Sequence, residues 1–308
     1  MKRILVTGAN GQIGSELVTY LRLLYGDQEV IASDITLENC SSPMEVLDVL
    51  DHEKFRNICE SYQVDTLIHL AAILSVNAEK NPQLAWDVNM QGLLNGLEIA
   101  KEFNLQFFSP SSIGVFSHES PKDKTPQLTT MRPTTMYGIS KLSGELLCDY
   151  YYQVFGVDTR SVRFPGLISS VTPPGGGTTD YAVEIYYAAI KDGHYTCPIK
   201  EDTYLDMMYM GDALKLIVDL MESDSSLLSD RNAYNVSAMS VCPKMIAESI
   251  QKYIPDFTIS YEIDPLKQSI AESWPNSIDV SIAQKDWHFN CQYDLDNLTK
   301  HMLASLQK

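Results

Sequence analysis

The chain has 308 residues, of which 44% are hydrophobic, and a formal net charge of −17. That length allows one large or two modest domains with a substantial core. The acidic balance argues against a nucleic-acid partner, whose phosphates call for clustered lysine and arginine. The six cysteines are scattered with no Cys-x-x-Cys, which predicts free thiols in a reducing, cytoplasmic compartment. The histidines lack ligand spacing, so no metal site is expected. No apolar run approaches the ~18–20 residues of a membrane span. No signal peptide precedes the first strand-like run, although a removed targeting peptide would leave no trace here.

In chain order, residues 2–6 read as a buried strand running into Thr7-Gly8-Ala9-Asn10-Gly11-Gln12-Ile13-Gly14. Ile13, Leu17, Leu21 and Leu24 then recur at helical spacing. Strand, glycine turn and helix form the setting of a dinucleotide fingerprint, here spaced G-x-x-G-x-x-G. Gly8 permits the turn, Gly11 lets the backbone approach a pyrophosphate, and Gly14 allows close helix–strand packing. Asn10, Gln12 and Ile13 complete the expected cofactor-binding turn. A second strand ends at Asp34, 20 residues after Gly14, where an acid accepts from ribose hydroxyls; a plain loop or cap acid is the alternative. No Lys or Arg follows until Lys54, which favours NAD over NADP.

Asp48 and Val49 are expected near the adenine, although a loop aspartate needs no such role. Residues 51–62 read as a helix and 66–70 as a third strand, followed by Ala71-Ala72, so Leu70, Ala71 and Ala72 join the cofactor set. Pro82 to Phe103 reads as one long helix. Residues 106–110 form the next strand and deliver Ser111 and Ser112 to its carboxyl end, where ligands bind in open α/β sheets. Tyr137 and Lys141 lie four apart on the following helix and so share a face. A free tyrosine titrates near ~10, and a neighbouring cation should lower that value, making the phenol a proton acceptor. Tyr-x-x-x-Lys alone is also an ordinary surface pair; its upstream company gives it weight. Further strands at 159–164 and 206–210 and a helix at 211–221 continue the alternation, which predicts an α/β, doubly wound parallel Rossmann sheet. A smaller, interleaved C-terminal substrate domain is expected, with the NAD-binding part at 1–168 plus 203–232 and the substrate or lid part at 169–202 plus 233–308.

Together, Gly8, Gly11, Gly14, Asp34, Ser112, Tyr137 and Lys141 resemble the extended short-chain dehydrogenase/reductase superfamily over essentially the whole chain. The resemblance implies that Ser112 holds a reacting hydroxyl, that Tyr137 is the acid/base, and that Lys141 lowers its pKa while binding the nicotinamide ribose. Asn89, in Asp87-Val88-Asn89, matches an asparagine that helps order such sites. Arg163-Phe164-Pro165-Gly166-Leu167-Ile168, the run from Thr172 to Val183, Asp206 to Met210, and Ala271-Glu272-Ser273-Trp274-Pro275 look like motifs of short-chain-type L-threonine 3-dehydrogenases. Ala78, Gly211 and Val280 depart from that pattern, where Gly, Pro and Asp would be usual.

The resemblance implies NAD-dependent oxidation of L-threonine to 2-amino-3-oxobutyrate, a functional link to a 2-amino-3-oxobutyrate CoA ligase, and a homodimer built on the helices at 82–103 and 136–154. Pro165, Leu167 and Ile168 are then cofactor-facing. Ser75, Ser111, Thr178, Thr179 and Asp180 are substrate candidates, with exposed N–H groups near Asp180 suited to a carboxylate. Asp180 as a simple helix cap stands equally. Trp274 is either a site shield or a core residue, and the loop at Gly175–Gly177 is expected to close over substrate. Two rivals remain: a nucleotide-sugar epimerase or dehydratase, against which the acidic, arginine-poor stretch 166–308 argues, and a non-enzymatic NAD sensor, which has no need of the full Ser, Tyr and Lys set.

Overall fold

The computed structural model describes residues 1–36, 42–173 and 177–307. The chain divides into two compact units: Met1–Ser112, Thr134–Arg163 and Leu214–Tyr234 form the first, and Ile113–Pro133, Phe164–Ala213 and Asn235–Lys308 the second.

The first unit is built on strands β1 (Ile4–Thr7), β2 (Val30–Asp34), β3 (Met44–Val46), β4 (Thr66–His69), β5 (Gln106–Phe108), β6 (Ser111–Ser112) and β7 (Asp158–Phe164). Their order is β3-β2-β1-β4-β5-β7, with β6 beside β7 and the Asn232–Asn235 strand at the far edge. The pairs from β3 to β7 are parallel. Ile4, Leu5 and Val6 are all fully buried, as are Val30, Ile31 and Ala32, so both faces of the sheet are covered. That is why these strands read as continuous apolar runs instead of alternating ones. Leu5, Ile31, Leu67 and Phe107 share one core with Phe55, Leu93 and Leu97 from the covering helices. Strand order reverses between β1 and β4, which places a crevice at their carboxyl ends.

The expected uninterrupted helix from Pro82 to Phe103 requires correction. Pro82–Trp86 and Gly92–Phe103 are α-helical, but Asp87–Gln91 between them is a π turn. A short helix at Ser75–Lys80, unmarked in the sequence pattern, precedes it. The π turn carries Asn89, whose Oδ1 accepts from the Ile73 N–H at 2.7 Å. Its Nδ2 donates to the Ile73 carbonyl and to Ser140 Oγ. Asn89 thus ties the loop after β4 to the helix Met136–Phe155, in keeping with the tendency of π turns to mark working positions.

In the second unit, Leu205–Tyr209 pairs in parallel with Gly166–Ile168 and antiparallel with Met239–Val241. His194–Cys197 pairs with Thr258–Tyr261. The helix Tyr181–Lys191 packs with Pro243–Gln251 and Leu295–Leu306. Nothing in the sequence pattern showed that Ile113–Pro133 joins this unit; Thr125 N–H donates to the Ser277 carbonyl, and Gln127 Oε1 accepts from Asn235 N–H. Trp274 is buried here, the core alternative of its two readings.

Two of the departing positions have local explanations. A Cβ at Gly211 would lie 2.7 Å from Tyr209 Cε1. That ring is packed on Tyr293 and bonded to His301 Nε2, so glycine makes room for it. Val280 sits at the N-cap of the helix Ser281–Trp287 and offers no side-chain cap, while Asp279 Oδ1 accepts from Ser281 N–H. Val280→Asp is therefore expected to raise stability by about 0.5–1 kcal/mol through a second capping acceptor, read as a small upward shift in thermal midpoint. No shift or a fall would refute the capping account. Ala78 is fully buried in its short helix, and the structure gives no reason for alanine over glycine there.

Candidate active site

At the head of the crevice, Gly8 has φ of +70°, and a Cβ there would meet Ala71 N at 2.7 Å. A Cβ on Gly14 would come within 2.2 Å of the Gly8 carbonyl oxygen. Only glycine lets the helix Gln12–Tyr25 start this close to β1, presenting its N–H groups as an anion seat. The Gly11 N-cap has no side-chain cap bond. This glycine cradle fits the pyrophosphate of a dinucleotide. Gly14→Ala is expected to weaken dinucleotide binding at least ~100-fold with the protein still folded, as read by titration calorimetry; near-normal affinity would refute the fit.

Asp34 at the end of β2 accepts from Asn10 N–H at 2.9 Å and from Ile35 N–H at 2.7 Å. A carboxylate has about four acceptor sites, so capacity remains for hydroxyls. Asn10 is fixed by its Nδ2 donating to the Thr36 carbonyl. Gln12 and Ile13 open the helix after the turn. Asp48 is exposed and accepts from Leu50 N–H, whereas Val49 is buried. After β4, Leu70 N–H donates to the Thr7 carbonyl, and Ala71 and Ala72 line the cavity behind the crevice. Ser75 is buried at the start of its short helix.

Tyr137 and Lys141 lie in the first turns of Met136–Phe155. That helix starts where Thr135 Oγ1 accepts from Gly138 N–H and Glu79 Oε1 accepts from Met136 N–H, a side-chain cap with an acid at the positive end. Lys141 Nζ lies 5.7 Å from the Tyr137 ring centre and donates to the Pro110 carbonyl at 2.7 Å. Burial lowers the Lys141 ammonium to about 8, with the Cys148 and Glu145 charges opposing. The expectation that the lysine would leave the Tyr137 phenol below its ordinary value needs correction. Burial raises it, and a hydrogen bond with Ser112 pulls the other way without prevailing. Desolvation of the phenolate outweighs that hydrogen bond.

Ser111 and Ser112 part company. Ser112 meets Tyr137, while the Ser111 hydroxyl donates inward to Glu145 Oε1. Glu145 also takes Arg163 Nε at 2.9 Å and Nη2 at 2.8 Å, a bidentate buried pair. Ser111 is thus engaged by the protein itself. Glu145, Arg163, Glu79 and His69 were missed by sequence reasoning. Glu145 carried a usable signal, since it falls four residues beyond Lys141 on the same helix stripe.

In the second unit, Gly166 allows Thr179 to pack against it, since a Cβ there would lie 2.9 Å from Thr179 Cγ2. Pro165 and Ile168 are buried beside it and Leu167 partly so. Thr178 Oγ1 is buried without a hydrogen-bond partner, as is the Tyr181 hydroxyl. Asp180 makes no forward cap bond at the N-terminus of Tyr181–Lys191; its Oδ2 accepts instead from Gly177 N–H at 2.8 Å. Gly175 and Gly176 of the expected closing loop lie outside the described residues. Among the described residues no group of His, Cys, Asp and Glu could hold a metal, and no helix is long and apolar enough to cross a membrane.

A doubly wound sheet, a glycine cradle at its switch point and a Ser112, Tyr137, Lys141 cluster define a nicotinamide-dependent enzyme of the extended short-chain dehydrogenase class. Residues 4–237 match the model of the NAD dependent epimerase/dehydratase family, and the chain belongs to that family. It is 56% identical to an uncharacterised epimerase/dehydratase of Staphylococcus saprophyticus, over 100% of this chain and 98% of the relative. Among solved structures it is similar to an L-threonine dehydrogenase from Clostridium difficile, at 59% identity, 100% and 98% coverage and a TM-score of 0.98. A monomeric L-threonine 3-dehydrogenase from a metagenome is 43% identical, with 99% and 98% coverage and a TM-score of 0.96.

Proposed function

We propose that this protein oxidises the 3-hydroxyl of L-threonine with NAD, giving 2-amino-3-oxobutyrate. The observation that carries the reading is the 59% identity, along the full chain, to an L-threonine dehydrogenase. The bound nicotinamide supplies the hydride acceptor. Gly8, Gly11 and Gly14 hold the pyrophosphate, Asp34 accepts from the adenosine ribose, and its charge disfavours a 2′-phosphate, which is the basis for NAD over NADP.

Ser112 donates to the substrate hydroxyl, and Tyr137 takes its proton. Because burial raises the phenol, its ionisation calls for a nearby cation, and Lys141 Nζ at 5.7 Å from the ring centre is placed to supply one. Oxidation rate is therefore expected to rise with pH through the range where Tyr137 deprotonates, and Lys141→Met to move that rise to higher pH; a pH-independent rate in both proteins would exclude Tyr137 as base. Ser111 positions Glu145 in place of touching substrate. In the second unit, Thr178 and Thr179 offer hydroxyls to the substrate carboxylate, Thr178 with a buried oxygen in need of a partner. Asp180 offers its charge to the ammonium, and Ser75 remains a substrate candidate of the first unit.

The direct test is NADH formation from NAD and L-threonine, against nucleotide diphosphate sugars as the alternative set. Net NADH with threonine alone supports the reading. Conversion of a sugar nucleotide without net NADH would replace it by the epimerase or dehydratase reading, which the description of the staphylococcal relative favours. We also propose a homodimer, resting on the exposed Leu84, Trp86, Leu146, Tyr150 and Val154 of the helices at 82–86 and 136–155. Sedimentation at a single-chain mass, like that implied for the monomeric relative, would remove it. A ligase acting on the unstable 2-amino-3-oxobutyrate is the expected functional partner, and a cytoplasmic location suits both.

A further inference from the structure

Beside Lys141 the first unit holds a small cavity of about 20 Å³, lined among others by His69, Asn89, Ser111, Ser140, Lys141 and Glu145. Most of this polar wall is already satisfied by the protein. Ser140 donates to the Tyr137 carbonyl at 2.8 Å, Ser161 to the Ser109 carbonyl at 2.6 Å, and Ser111 to Glu145. His69 is the exception. Its ring stacks between Phe55 and Phe107, and Nδ1 bonds Thr7 Oγ1 at 3.0 Å. Its Nε2 is buried with no hydrogen-bond partner.

Leaving such a nitrogen unpaired costs on the order of 1–3 kcal/mol. One water needs about 10–15 Å³ and two to four polar partners, and this cavity supplies both. Lys141 supplies the donor side: an ammonium has three N–H groups, and the Pro110 carbonyl takes one. The imidazole is neutral, since burial and the Lys141 charge hold its pKa down to about 3. With Nδ1–H donating to Thr7, Nε2 becomes an acceptor, the tautomer that a nearby cation favours.

We propose that this cavity is a water site joining Lys141 Nζ to His69 Nε2, and that His69 is thereby a positioning residue that keeps Lys141 cationic beside the Tyr137 phenol. The water accepts from Nζ and donates to Nε2, and no covalent bond changes. The charged and titratable groups facing Lys141 are Tyr137, Glu145 and Cys148 on its own helix and His69 from β4. Arg163 of β7 acts on it through Glu145. Of these, His69 alone has a ring nitrogen left for a bridging water. The kinetic part of the proposal rests on the assigned roles of Tyr137 and Lys141; the water site does not.

Two experiments test it. A high-resolution crystal structure of the wild-type protein should show one ordered water within about 3.2 Å of both nitrogens. A dry cavity, or a water bound to neither, overturns the proposal. In His69→Phe, which keeps the aromatic stack and removes the nitrogens, the rise of oxidation rate with pH should move up by about one unit. Dinucleotide affinity should stay unchanged, and His69→Gln, which keeps a polar terminus, should move the rise less. A uniform loss of rate with the pH profile unmoved means that His69 is only structural and overturns the positioning role. Failure of the wild type to oxidise threonine while the bridging water is present would fault the substrate reading and leave the water site standing. If the variants do not fold, the wild-type crystal structure still decides the site.

Discussion

Tyr137→Phe should lower NADH formation from NAD and L-threonine by about 10³–10⁴-fold, at the upper end of what a positioned acid or base contributes. Dinucleotide affinity should change little. The substitution removes one oxygen from a half-buried side chain whose hydroxyl bonds Ser112. The ring, its packing beside Lys141 and the helix Met136–Phe155 remain. A loss confined to turnover would therefore be loss of the proton acceptor. Ser112→Ala should cost less, since it removes a hydrogen bond to the same oxygen and not the base. Non-additive losses in the double variant would show that the two act as one unit. A Tyr137→Phe protein that retained a tenth of wild-type turnover would end the assignment. Equal cofactor binding in both, with no turnover in either, would instead support the non-enzymatic alternative.

The parts of this architecture that were legible in the sequence are those governed by local rules. The glycine turn could be read because close approach of a helix to a strand admits no Cβ, and Gly14 shows that constraint at 2.2 Å. The fully buried strands could be read because a sheet covered on both faces needs apolar residues at every position. The Tyr137–Lys141 spacing could be read because it is one helical turn. What escaped depends on long-range partners. The π turn at Asp87–Gln91 is set by how Asn89 reaches Ile73 and Ser140, 16 and 51 residues away. The direction of the Tyr137 shift was misread for the same reason: spacing reveals a neighbouring charge, but not how much water the fold removes. The inward turn of Ser111 depends on Glu145, 34 residues on, and no local pattern announces it.

That Glu145 pair gives the largest expected effect on stability. Arg163 and Glu145 side chains are 4% and 5% exposed, and their contact is bidentate. Arg163→Met should destabilise the protein by about 3–5 kcal/mol, because it strands a carboxylate charge in the interior with only the Ser111 hydroxyl as a donor. The cost should exceed that of Glu145→Gln, which leaves a neutral amide able to accept from Ser111. The double variant Glu145→Gln with Arg163→Met should recover part of the Arg163→Met loss, giving a coupling of at least about 1–2 kcal/mol in a thermodynamic cycle. The Arg163→Met deficit should also shrink on acidification, since protonating the stranded carboxylate removes the buried charge. Denaturant unfolding of all four proteins at two pH values measures both effects. Strictly additive losses, or a deficit that ignores pH, would mean that the pair is held by packing and not by charge. The consequence reaches the site because Glu145 lies one helical turn beyond Lys141 and accepts the hydrogen bond of the Ser111 hydroxyl beside Ser112. A pair that merely stabilised the fold would leave the pH profile of turnover unmoved; one that also orders the site should shift it in Glu145→Gln, where the negative charge facing Lys141 is gone.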